Sequence, residues 1–261
     1  MDFTLGSRAA GAGYRLVALD SVGSTSSEAL ERAAAGEAGP LWITARRQTA
    51  GRGRRGRGWH SPQGNLAASL LITLDAAPAQ IANLGFVAGL AAHDALASLL
   101  PPDARLALKW PNDVLAGGAK LAGILLESSP LPDGRSALVV GFGINVAAAP
   151  EGLPYATASL RGLGSHAGAE AVLEALSDCW CSAFEDWAGG TGFAATRARW
   201  LECAYGLGGE IAVRHGAEDL RGAFETIDAE GRLVLRTGSG PRTIAAGEVH
   251  FGTAASAAAG I

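Results

Sequence analysis

The chain has 261 residues, 48% of them hydrophobic, which suits one large domain or a large domain with a small companion. Its formal net charge of −4 and acidic pI of about 5.7 exclude a generally basic nucleic-acid or membrane-surface binder. Cys179, Cys181 and Cys203 lack metal-ligand spacing and cannot all pair, so they read as small core residues of a reducing, cytoplasmic protein.

Residues 14–19, Tyr-Arg-Leu-Val-Ala-Leu, look like a strand. Thr25 and Glu28 have capping-box spacing, which predicts a helix from about residue 26 to residue 36. Residues 41–45 form a short apolar strand that runs through Gln48 into Gly-Arg-Gly-Arg-Arg-Gly-Arg-Gly-Trp at 51–59. In that run four arginines supply planar forks of donors, and four glycines let the backbone approach a ligand closely. A loop of this kind suits a small anion. Like charges and glycines also make it costly to order until negative charge is supplied.

Residues 66–74 are almost continuously apolar and predict a buried strand. Residues 79–100 carry a helical pattern that stops at Pro101 and Pro102, and Asn83, His93 and Asp94 interrupt it as a membrane span. The start of the chain lacks the continuous apolar run of a signal peptide. A half-buried strand over 106–110 ends at Pro111-Asn112-Asp113, and residues 114–126 predict a hairpin turning at Gly117-Gly118. The chain has only two lysines among its 21 cations, Lys109 and Lys120, and both fall in this segment. An ammonium is a compact point charge that a guanidinium does not replace between two reacting oxygens.

A strand over 137–146 holds a polar Asn145, which either satisfies a structural bond or touches a ligand. A loop over 147–168 precedes helices over 169–187 and 194–204, with Trp180, Phe184, Trp187 and Trp200 as core. Five short strand-like runs between 209 and 251 predict a small β-barrel. The alanine-rich tail, 252–261, has no apolar anchor and is expected to be mobile.

Taken in order, five motifs resemble the short-type biotin protein ligases. They are Ser24-Thr25, the 48–59 segment from Gln48 to Trp59, Lys109-Trp110-Pro111-Asn112-Asp113, Lys120-Leu121-Ala122-Gly123-Ile124-Leu125 and Gly141-Phe142-Gly143-Ile144-Asn145-Val146. The resemblance spans about residues 14–251 and implies an α+β fold like that of the class II aminoacyl-tRNA synthetases. In that fold helices pack on a mixed or antiparallel sheet, and a small SH3-like barrel follows. The implied domains are a catalytic biotin/ATP-binding domain at 1–204 and a barrel at 205–251.

The implied reaction has two steps. Biotin and Mg-ATP give biotinyl-5′-AMP, and a lysine of a biotin carboxyl carrier domain then takes the biotin as an amide. The resemblance places biotin against Ser24, Thr25, Ser26, Gln48, Arg52, Gly53, Arg54, Lys120 and Gly123. It places the nucleotide against Arg54, Arg57, Trp59, Asn112 and Asn145, and makes Lys120, Arg52 and Arg54 the catalytic group. ATP, Mg²⁺ and biotin are substrates or ligands, with no permanently bound cofactor and no protein metal ligand assigned. The expected assembly is a monomer or weak homodimer, with no nucleic acid or membrane as partner.

The sequence departs from the family in two places. Ser26 stands where many relatives carry asparagine, and residues 147–168 contain no tryptophan to stack on adenine. Only thirteen residues precede the first predicted strand, too few for a winged-helix DNA-binding domain. The alternatives are a lipoate-protein ligase, a non-catalytic biotin-binding protein, and a nucleic-acid binder with an Arg-Gly segment.

Overall fold

The computed structural model describes residues 2–215 and 218–251, so the alanine-rich tail lies outside the described residues. Seven strands build the main sheet: β1 (Arg15–Val22), β2 (Leu41–Gln48), β3 (Leu66–Leu74), β4 (Leu106–Lys109), β5 (Asp113–Ala116), β6 (Ala119–Pro130) and β7 (Ser136–Ile144). Their spatial order is β1-β2-β3-β7-β6-β5-β4, and only the β1–β2 pair is parallel.

Side chains alternate across this sheet, so each strand serves two faces. Leu41, Ile43, Leu71, Ala137 and Val139 meet Ala29 and Ala33 of helix α2 (Thr25–Ala34) on one face. Trp42, Leu70, Leu138, Val140 and Phe142 point to the other, under helices α3 (Pro78–Leu99) and α4 (Ala169–Trp187). Burial on both faces explains why β3 is apolar along its length. Helix α3 is long and apolar enough to cross a membrane, yet 67% of that window is buried inside the fold, where it serves as core.

Helix α2 starts one residue before its predicted beginning. Ser24, not Thr25, is the N-cap, and its Oγ accepts from the Ser27 N–H at 3.4 Å. Glu28 instead pairs with Arg32 one turn on, at 2.7 Å. This frees the Thr25 hydroxyl to turn toward the sheet. Helix α1 (Ser7–Gly11) was not anticipated, because five residues are too few to show a helical period. Tertiary bonds hold it: the Gly6 N–H donates to Ser177 Oγ and the Ala9 N–H to Asp178 Oδ1, each at 2.9 Å.

After helix α5 (Phe193–Glu202) come β8 (Glu210–His215), β9 (Glu218–Ile227), β10 (Leu233–Thr237), β11 (Gly240–Ile244) and β12 (Glu248–Phe251). They form an antiparallel sheet in the order β11-β10-β9-β8-β12, and no ladder among the described residues joins β11 to β12. The expected small β-domain is thus a five-stranded antiparallel sheet with no closing ladder described. Pro241 lies on β11 and has no N–H to donate, which fits an edge strand. Buried Ile211, Phe224, Leu233 and Val249 join the same core cluster as the main sheet.

Cys181 is buried as read from the sequence, whereas Cys179 and Cys203 are only partly so. Cys203 and Asp94 flank His93 on the α3–α5 seam, with His93 Nδ1 3.2 Å from Asp94 Oδ1. Hydrogen bonds to Asp94 and Cys203 outweigh burial and raise the imidazole pKa to about 9. A raised histidine stabilises the fold fully below its unfolded value near 6.5, and that stabilisation is lost as pH climbs through about 9. Urea unfolding should therefore show stability falling across that window by roughly 2–3 kcal/mol more in the parent protein than in His93→Gln. Parallel pH curves for the two proteins would show that His93 carries no such linkage.

Candidate functional site

The α2-facing side of the main sheet loses its side chains where β6 and β7 meet. Gly123 pairs with Gly143, and Leu125 with Gly141, so the two β7 glycines and Gly123 share one face. Ser69 and Ala67 continue that floor on β3, opposite Gly141 and Gly143. These glycines make room for particular neighbours. A Cβ on Gly141 would lie 2.6 Å from Ser26 Oγ, and one on Gly143 only 2.2 Å from the Trp59 ring.

One end of this floor is a hydroxyl and amide cluster at the start of α2. Ser24, Thr25 and Ser26 are all buried. The Thr25 N–H and Oγ1–H both donate to Gln48 Oε1, at 2.8 and 3.1 Å. Ser69 Oγ lies 2.8 Å from Thr25 Oγ1 and 3.0 Å from Ser26 Oγ. Gln48 is thereby oriented with its oxygen toward the protein. Ser26, the departure from the family pattern, is committed to Ser69. An open groove of about 710 Å³ adjoins this end, bounded by Arg47, Gln48, Thr49 and His60.

The other end is charged. Lys120 Nζ lies 2.8 Å from Asp113 Oδ1, with both side chains mostly buried. The ammonium sits 3.4 Å from where a Cβ on Gly123 would be. It also lies 5.6 Å from the Trp59 ring centroid and 5.8 Å from that of Tyr155. Backbone bonds fix its strand on both sides: the Lys120 N–H donates to Ala156 O, and the Ala158 N–H to Lys120 O. Burial holds the Lys109 ammonium below its ordinary value; neighbouring Lys120 adds to this, and Asp113 opposes it.

The 51–59 segment closes over the floor as a short hairpin. Arg52 bridges Gly58, the Gly53 N–H donates to Arg57 O at 2.7 Å, and the Trp59 N–H donates to Gly51 O at 2.9 Å. Arg55 and Gly56 turn the chain with φ of 57° and 74°. Three of the four arginines find carboxylates. Arg52 pairs with Glu127 at 2.7 Å, and Glu248 receives Arg57 at 2.7 Å and Arg55 at 3.8 Å. The fourth, Arg54, donates to Asn112 Oδ1 at 3.1 Å. Burial and neighbouring Arg55 lower the Arg54 pKa, with Asp113 and Glu248 opposing. A cavity of about 160 Å³ lies beside it, lined by Asn112, Pro111, Gly85 and Leu125.

Most of the residues expected to form a site come together here. Lys120, Gly123 and Trp59 meet over the glycine floor, Arg54 meets Asn112, and Arg57 turns outward to Glu248. Arg52 pairs with Glu127, whereas Lys120 pairs with Asp113. Asn145 is buried; its NH₂ group donates to Ala158 O at 3.1 Å and Lys120 O at 3.4 Å, while its Oδ1 has no donor in the protein. No described cluster of three or more His, Cys, Asp or Glu side chains could hold a metal.

Five contributors escaped the sequence reading: Ser69, Asn65, Glu127, Glu248 and Tyr155. Asn65 Oδ1 accepts from the Val146, Ala147 and Ala148 N–H groups at 2.9–3.1 Å and so fixes the loop after β7. A lone serine in an apolar strand was the one visible signal for Ser69. Tyr155, 46% exposed, is the aromatic residue that the 147–168 loop does carry.

The family models agree with this arrangement. The biotin/lipoate A/B protein ligase family matches residues 22–145, and the biotin protein ligase C-terminal domain matches residues 206–252. A biotin–[acetyl-CoA-carboxylase] ligase of Paracoccus denitrificans is 45% identical over 88% of this chain and 97% of its own length. A ligase of the same name from Mycobacterium tuberculosis is 37% identical over 92% and 90%. The Aquifex aeolicus biotin protein ligase, solved with biotin and ATP, superposes with a TM-score of 0.74 at 27% identity, over 90% of this chain and 97% of that one. The chain is therefore a member of the biotin protein ligase family.

Proposed function

We propose that this protein activates biotin with ATP to biotinyl-5′-AMP and passes it to a lysine of the biotin carrier domain of an acetyl-CoA carboxylase. The observation that carries the reading is the Lys120 ammonium beside Gly123, at the charged end of a glycine-floored groove. A carboxylate and a triphosphate repel each other, so their reaction needs fixed positive charge at the reacting oxygens. Lys120 supplies a point charge there. Arg54 and Arg57 supply guanidinium donors on the nucleotide side, and Mg²⁺ arrives with ATP as part of the substrate.

The ureido ring belongs at the opposite end, with Ser24, Thr25, Ser26 and Gln48. A ring that both donates and accepts hydrogen bonds matches a cluster of hydroxyls and an oriented amide. The biotin tail then runs over Gly141, Gly143 and Gly123 in the space the Trp59 ring fills in this structure, so that ring lifts as biotin enters, and Gly53 and Arg52 belong to the hairpin that covers it. On the nucleotide side Asn112 orients Arg54, Asn145 offers an acceptor that lacks a protein donor, and Tyr155, near the Lys120 ammonium, supplies an aromatic face. The hairpin excludes water from the labile mixed anhydride. Lipoate ligases share the first family model, but full-length likeness to two biotin ligases favours biotin. We place the domain boundary at 204/205, just past α5, with 1–204 catalytic and 205–251 the C-terminal domain.

Biotin should support exchange of labelled pyrophosphate into ATP with no acceptor present, and lipoate should not. Lys120→Arg should lose most of that exchange, a barrier increase of about 2–4 kcal/mol, because a planar fork cannot occupy the ammonium's place. Exchange at the parent rate in Lys120→Arg would remove this lysine from the mechanism.

Gly143→Ala tests the groove. The added methyl meets the Trp59 ring, and displacing that ring costs about 1–3 kcal/mol of overpacking. Calorimetry should find biotin bound about tenfold or more weakly. An unchanged dissociation constant would place biotin elsewhere.

A further inference from the structure

The arginine hairpin touches the C-terminal sheet at one place. Glu248, the first residue of β12, receives Arg57 Nη1 at 2.7 Å and Arg55 Nη1 at 3.8 Å. Next to it, Arg54 Nη1 lies 3.5 Å from the Gly247 carbonyl oxygen. Three consecutive cationic positions of the hairpin therefore meet the first residue of β12 and the residue just before it, almost 200 positions later in the chain. The contact is partly sheltered, with the Glu248 side chain 31% exposed.

From this we propose that Glu248 is a positioning residue for the adenylation step. It clasps the arginine hairpin shut, and it holds Arg57 by one edge so that the remaining donors of the guanidinium are presented to the nucleotide. The inference rests on the proposed reading of the hairpin as the cover of the ligand site.

The physical case has three parts. The hairpin's glycines give it a large conformational entropy to lose, so something must offset closure. Its four arginines repel one another, and Glu127 on β6 pairs only with Arg52 among them, at the other end of the run. Glu248 is thus the carboxylate that neutralises the tip, and it does so from the other sheet. A guanidinium has five N–H donors in a rigid fork, so one bound edge orients the rest without exhausting them. Burial pushes the Glu248 carboxyl pKa up, but Arg57, His250 and Arg55 bring it below the ordinary value, so it remains a carboxylate at neutral pH.

The same clasp gives the C-terminal sheet a part in the chemistry. A shift of β12 relative to the main sheet would be felt at Arg57 and Arg55 through Glu248. The Gly247 carbonyl contact to Arg54 couples the same motion to Asn112.

The test compares the parent protein with Glu248→Gln and Glu248→Asp. Trypsin cleavage after Arg54, Arg55 and Arg57, read by mass spectrometry without ligands, should be about fivefold faster in Glu248→Gln, with an unchanged urea midpoint. In pyrophosphate exchange its KM for ATP should rise roughly tenfold with kcat within about twofold, the signature of lost positioning of a bound substrate. Glu248→Asp, which keeps the charge, should fall between the two. Cleavage at the parent rate in Glu248→Gln would remove the clasp. Faster cleavage with an unchanged KM would leave a clasp that does nothing for the nucleotide and would overturn the proposed role. A fall of kcat and urea midpoint together would mean that Glu248 merely supports β12. If the parent shows no biotin-dependent exchange, the ligase reading fails, while the cleavage comparison still decides the clasp.

Discussion

Like charges packed at one end of a sheet govern this molecule. Arg52, Arg54, Arg55, Arg57, Lys109 and Lys120 are linked by ion pairs or direct electrostatic contact to three carboxylates, Asp113, Glu127 and Glu248. The cations outnumber the anions two to one. In a partly buried setting such an excess is costly, because each charge has lost part of its hydration and is screened less than at the surface. The depressed pKa values of Arg54 and Lys109 record that cost. Adding an anion relieves it, which is why the site suits a reaction that brings a carboxylate against a polyphosphate.

The excess is useful only because the floor beneath it carries no side chains of its own. Gly123, Gly141 and Gly143 clear a strip of the sheet on which Trp59 rests, and Gly141 leaves room for the Ser26 hydroxyl. The hydroxyl cluster anchored on Ser69 lies at one end and the Lys120–Asp113 pair at the other. A ligand lying along the strip would reach a hydrogen-bonding end and a charged end at once. The main sheet supplies rigidity: its central strands β2, β3 and β7 are buried along most of their length, and backbone bonds from Ala156 and Ala158 hold the Lys120 strand in place.

Much of this was legible in the residues. Strand β3 matched its expected limits because a continuous apolar run admits little else, and the β5–β6 turn followed from Gly117-Gly118. The arginine run and the two lysines pointed to an anion before any geometry was known. What escaped notice depends on distant partners. Helix α1 exists because Ser177 and Asp178 receive its N–H groups, and nothing local to residues 7–11 encodes that. Glu127 and Glu248 carry no local signal, since their meaning comes from arginines about 75 and 190 positions away. The small C-terminal β-domain was legible in its short strand-like runs, but strand periodicity does not say whether its edge strands, β11 and β12, pair. The capping box at Thr25 was misplaced by one residue because Ser24 offers the same chemistry.

The central claim is that one arrangement of charge and glycine joins biotin to a protein lysine through an activated acyl phosphate. Its most direct test mixes the protein with biotin, ATP, Mg²⁺ and a biotin carboxyl carrier domain, and weighs the carrier by mass spectrometry. The expected result is a single biotin-sized mass gain on one lysine, dependent on ATP and absent with Lys120→Arg on the same timescale. A carrier that gains no mass from biotin, or that gains a lipoyl group when lipoate is offered instead, would contradict it.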